Sequence, residues 1–63
     1  MAQMTLKAAR INKGLTQINA AKQIGVAVST LKNWENGKHF PKQPQIMAIC
    51  EVYDLSYDDI FFG

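Results

Sequence analysis

Residues Gln17 to Gly37 read QINAAKQIGVAVSTLKNWENG, and this stretch decides the fold. Gln17 to Ile24 contains no proline or glycine and carries Ala20, Ala21 and Lys22, all good helix formers. Thr16 precedes it, and a threonine hydroxyl there can accept from amides that the first turn leaves unpaired. Gly25 ends the helix, because glycine takes the left-handed conformation of a sharp reversal at no steric cost. A second helix is predicted from about Val28 to Glu35, stopped by Asn36-Gly37. The unit is helix, short turn, helix.

On the second helix of the unit, Leu31 and Trp34 are spaced to share a face, and with Val26 in the turn they form one apolar stripe that must meet a core. Val28, Ser29, Lys32 and Asn33 are left pointing away. This set can read base edges: Lys donates to guanine, Asn pairs bidentately with adenine, and an apolar group touches the thymine methyl. A plain surface helix is the alternative reading of the same pattern.

The surrounding chain is 63 residues long, enough for one small domain, since a chain of this size buries only about 60% of its unfolded surface. Its 48% hydrophobic content is that of a folded protein. One cysteine cannot form an internal disulfide, and no Cys/His cluster offers a metal site, so helix packing alone must hold the fold and no metal or cofactor is expected. A reducing cytoplasm fits. No apolar run approaches the roughly 18 residues of a membrane span, and MAQMTLKAAR lacks the apolar core of a signal peptide. The sequence leaves open a whole protein or a domain of a longer repressor, with Met1 and the compact ending leaning toward the former; a whole chain of this length has no sensory domain, so no small-molecule effector is expected.

The net charge of +2 conceals a division. Residues 1 to 42 hold all seven basic side chains against one acid, Glu35, whereas the remainder holds Glu51, Asp54, Asp58 and Asp59. A polyanion is favoured at the basic end, because neutralising phosphates releases condensed counterions.

Along the chain, a first helix is predicted from Met4 or Thr5 to about Lys13-Gly14, with Leu6, Ala9 and part of Arg10 inward and Lys7 and Lys13 outward. KHFPKQPQ, from Lys38 to Gln45, reads as a loop by its two prolines, with Phe40 plugging the core edge and His39 a plain loop side chain. A fourth helix from about Pro44 to Tyr53 carries Ile46, Ile49, Cys50 and Tyr53 as its stripe, Cys50 being a small core hydrophobe. Ser56 and Asp59 resemble a capping box that starts a last short helix, Tyr57 to Phe61. Ile60, Phe61 and Phe62 make a dense apolar ending, read as core or as an interface.

The stretch LTQINAAKQIGVAVSTLKNWENGK resembles the helix-turn-helix of the lambda-repressor-like, Cro-type family of phage and bacterial regulators. The resemblance lies in Leu15, Thr16-Gln17, Ala21, Gly25, Val26, Ser29-Thr30-Leu31, Trp34 and Glu35-Asn36-Gly37-Lys38. It extends from Leu6 to Phe61, with Arg10 on the first helix and Pro41 after the motif. It implies an all-α, five-helix DNA-binding domain over residues 1–63, whose third helix enters the major groove and which acts as a repressor by occupancy.

The resemblance also implies roles. Arg10 would pair with Glu35 and pin the first helix to the third, the rival reading being a surface charge or a phosphate contact. Gln17 would contact the DNA backbone and steady a side chain of the third helix, where the bland reading is an ordinary first-turn residue. Asn36, Lys38 and Lys42 would hold phosphates, with solubility as the alternative for the lysines. Ile60, Phe61 and Phe62 would be candidate contacts of a homodimer on palindromic double-stranded DNA.

Two positions depart from the family pattern. Ala27 stands where a small hydroxyl residue usually caps the third helix, so its start is expected to fray or shift toward Ser29. Val28 occupies a position that is often polar and base-reading, and it can make only apolar contacts there.

An enzyme is the poorest alternative, because no carboxylate pair, nucleophile with base or glycine-rich phosphate loop is present. The stronger rival is a protein-interaction module, such as an antitoxin, antirepressor or adaptor, on the same fold.

Overall fold

The computed structural model describes residues 3–61. Its elements are strand β1 (Met4–Thr5), helices α1 (Leu6–Asn12), α2 (Gln17–Ile24), α3 (Val28–Glu35) and α4 (Gln43–Tyr53), a single 3-10 turn (Tyr57–Asp59) and strand β2 (Ile60–Phe61).

Local chemistry sets the helix boundaries. Thr16 caps α2, its hydroxyl accepting from the Asn19 amide at 3.1 Å. Gly25 closes it in the left-handed region, at φ 93°, with its amide on the Ala21 carbonyl at 2.8 Å. After Glu35 the chain reverses through Gly37, at φ 76°, and the Lys38 amide bonds the Asn33 carbonyl at 2.9 Å.

Four α-helices form among the described residues, and the expected fifth does not. Ser56 and Asp59 do cap one turn, since the Asp59 carboxylate accepts from the Ser56 amide at 3.2 Å and from its hydroxyl at 2.8 Å. The turn stops there. A three-residue start has not repaid the cost of nucleating a helix, and Ile60 gains more by extending into the core, where it is 2% exposed. It pairs in parallel with β1, Met4 opposite Ile60 and Thr5 opposite Phe61. The same pairing moves the start of α1 from the expected Met4 or Thr5 to Leu6. Thr5 instead becomes the cap, its hydroxyl accepting from the Ala8 amide at 3.1 Å.

The core takes Leu6 and Ala9 from α1, Ala20 and Ala21 from α2, Leu31 and Trp34 from α3, Ile49 and Tyr53 from α4, and Ile60 from β2. Leu31 and Ile49 are fully buried at its centre. The two alanines of α2 let it lie close against both α3 and α4, the helices it chiefly packs on. Phe40 does not plug the core edge. It is 60% exposed, because the next residue, Pro41, is buried there and turns the phenylalanine out. Among the described residues no helix is long and apolar enough to cross a membrane.

Candidate nucleic-acid interface

The placement of α3 rests on a polar cluster beneath it. Arg10 donates from Nε to Glu35 Oε2 at 2.8 Å and from Nη2 to Oε1 at 3.5 Å, while its Nη1 donates to the Leu15 carbonyl at 2.8 Å. Gln17 donates from Nε2 to Glu35 Oε1 at 3.1 Å. The side chains of Arg10 and Glu35 are 10% and 3% exposed. A buried carboxylate satisfied from two helices and a buried guanidinium satisfied from a helix and a loop tie α1, the loop after it, α2 and α3 into one unit. One hydrogen of the Gln17 side-chain amide is therefore committed to Glu35, on a side chain that stays partly exposed.

Tyr53 lies beside this cluster, nearly fully buried, and its hydroxyl has no hydrogen-bond partner among the described residues. Burial, and then the negative charge of Glu35, push its pKa up to about 12 from an ordinary 10, against an opposing pull from Arg10. The phenol stays neutral. Cys50, on the same helix, is half-buried, and burial followed by the charge of Asp59 raises its thiol pKa. That makes it an inert packing group.

With Leu31 and Trp34 buried, the opposite side of α3 presents Ser29 and Lys32 exposed and Asn33 half-buried at its margin. Val28 is less available than its expected outward position, being half-buried with one flank against the core. The helix begins at Val28 and does not slip toward Ser29, although Ala27 gives it no side-chain cap. The Leu31 amide closes the first turn on the Ala27 carbonyl at 3.2 Å, and burial of Leu31 fixes the register that the missing cap would otherwise have set.

Asn36 and Lys38 are exposed just past the C-terminus of α3. Lys42 is exposed at the N-cap of α4, its backbone amide donating to Gln45 Oε1 at 2.8 Å. Of the apolar ending, Ile60 is in the core and not available to a second copy, Phe61 is 51% exposed, and Phe62 lies outside the described residues.

One residue of this face escaped sequence reasoning. Ile18, on the first turn of α2, is 67% exposed and lines a shallow groove with Arg10, Thr16, Gln17, Val28 and Lys32. The available signal was its position off the face that Ala20, Ala21 and Ile24 share, which leaves an isoleucine on the polar side of an amphipathic helix.

Comparison with known proteins gives one curated relative, the HTH-type transcriptional activator BcrR of Enterococcus faecalis, 29% identical over 58 residues. The aligned region is 92% of this chain and 28% of that protein, so the chain spans under a third of the length of its relative. No solved structure gives a significant match. Residues 6–60 match the helix-turn-helix family HTH_3, a span running from the first residue of α1 into β2, and the chain belongs to that family.

Proposed function

We propose that this chain is a sequence-specific DNA-binding transcriptional regulator of the Cro type, a phage or bacterial repressor that lays α3 in the major groove. Lys32, Asn33, Ser29 and Val28 meet base edges, while Gln17, Asn36, Lys38 and Lys42 fix register on phosphates. The observation that carries this reading is the division of α3. Its Leu31–Trp34 side is buried, Glu35 is locked to Arg10 and Gln17, and the opposite side offers a cation, a hydroxyl and an amide on a rigid support. Rigidity matters because base readout needs donors held in place before contact.

The chain acts as a homodimer on a palindromic operator, without effector or cofactor, in the cytoplasm, and carries no catalytic activity. Repression follows from occupancy alone. The relative is named an activator; repression by this chain requires an operator that overlaps a promoter.

The test is selection of bound sequences from a random duplex pool at moderate salt, beside the double variant Lys32→Ala, Asn33→Ala. Enrichment of a palindrome that the variant loses supports the reading. No enrichment sinks it.

A second reading, a protein-interaction module such as an antitoxin or adaptor, is favoured by one observation, the exposure of Phe61 together with Phe40. Affinity that falls steeply with salt marks phosphate contacts, and a shallow dependence marks an apolar protein interface.

A further inference from the structure

The groove between the first turns of α2 and α3 is lined by Arg10, Thr16, Gln17, Ile18, Val28 and Lys32. Most of its polar groups are already committed. Arg10 is bound to Glu35 and Leu15, the Thr16 hydroxyl to the Asn19 amide, and Gln17 Nε2 to Glu35. What the groove offers to solvent is two β-branched side chains, Ile18 and Val28, with the Lys32 cation at its rim. Such a notch suits a small apolar group carried on a polyanion. In the DNA major groove that group is the 5-methyl of thymine.

We propose that Ile18, with Val28 as the facing wall, is a specificity-determining residue that reads a thymine 5-methyl from α2. This inference rests on the placement of α3 in the major groove proposed above. Ile18 contributes only shape, so it favours thymine over cytosine or uracil without a hydrogen bond. It leaves the polar readout to Lys32 and Asn33.

The experiment takes the sequence enriched from the random pool and replaces each thymine in turn by uracil, which removes one methyl group and keeps every hydrogen-bonding edge. Affinities are measured for the full chain, for Ile18→Ala and for Val28→Ala. Helical circular dichroism of Ile18→Ala is expected to match the parent, because the side chain is 67% exposed. The parent should lose about 4-fold in affinity at one thymine per half-site, the worth of one buried methyl group. Ile18→Ala should bind the thymine and uracil forms at that position equally well.

Retention of the full thymine preference in Ile18→Ala overturns the inference, as does the absence of any thymine whose methyl matters. Uniform weakening of Ile18→Ala on every sequence also overturns it, by marking a sugar contact. In these outcomes specific DNA binding stands and only the notch fails. A pool that enriches nothing removes both the notch and the functional reading.

Discussion

Arg10 Nε stands 2.8 Å from Glu35 Oε2, joining residues 25 apart in the chain at a site where both side chains are almost wholly buried. A pair in this setting is costly to break and cheaper to remove altogether, since a lone survivor is left charged and unpaired inside the protein. Arg10→Met or Glu35→Gln alone should lose about 3–5 kcal/mol in urea unfolding, most of the stability of a domain this small. The double variant should be less damaged than the worse single. If both singles unfold at the parent's urea concentration, the cluster does not hold the helices together.

The pH response of Tyr53 follows from the direction of its shift. Its folded pKa of about 12 lies above the ordinary 10, so the contribution to stability is complete below pH 10 and is lost as pH rises toward 12. Denaturant melts across that window, with phenolate absorbance followed alongside, should show stability falling as the buried phenol ionises. Tyr53→Phe should flatten this dependence. Near neutral pH it should cost little or stabilise slightly, since it deletes a buried hydroxyl that has no partner among the described residues. A large loss at neutral pH would contradict this account.

Asp54 ends α4 at φ 56°, the left-handed region in a residue other than glycine. Its ion pair with Lys13, at 4.0 Å and largely exposed, offsets little of that cost. Asp54→Gly is therefore expected to raise stability by up to about 1 kcal/mol, or about 4–8 °C in Tm for a domain of this size. A drop in Tm would assign more to the carboxylate than the geometry suggests.

Lys38→Ala should weaken binding to all DNA sequences alike and reduce the slope of log affinity against log salt by about 1, because a phosphate contact carries no base information. Lys32→Ala should instead relax preference at particular positions. Filter or fluorescence titrations at several salt concentrations, on the selected sequence and on a scrambled one, separate the two behaviours.

The bounds of α2 and the end of α3 were legible in the sequence because each is punctuated locally, by Thr16 and Gly25 for one and by Asn36-Gly37 for the other, whereas the uncapped start of α3 is fixed by the burial of Leu31. The fate of Ile60-Phe61 was not. An apolar pair after a capped turn fits a helix stripe or a strand equally well, and what decides between them is Met4, at the far end of the chain. Phe40 was misplaced for a similar reason, since either it or Pro41 could fill the edge of the core and only packing chooses. The exposure of Ser29 and Lys32 followed from helical spacing, whereas Val28, expected outward by the same spacing, is half-buried because one flank packs on the core. The Arg10–Glu35 contact came from resemblance, as no local periodicity links residues so distant. Ile18 was legible only as an exception, an apolar residue off the face that Ala20, Ala21 and Ile24 share, and nothing in the helical period says what such an exception contacts.

The parallel pairing of Met4–Thr5 with Ile60–Phe61, reinforced by Gln3 Nε2 donating to the Asp58 carbonyl at 3.1 Å, has a mechanical consequence. The two strands run in the same direction near opposite ends of the chain. Tension applied between those ends therefore pulls them past one another and loads the rungs of the ladder together, in shear, instead of peeling them apart one at a time. Whatever tugs on either end of this domain meets that short clasp first, before the strain reaches α1 or the helix held by Glu35.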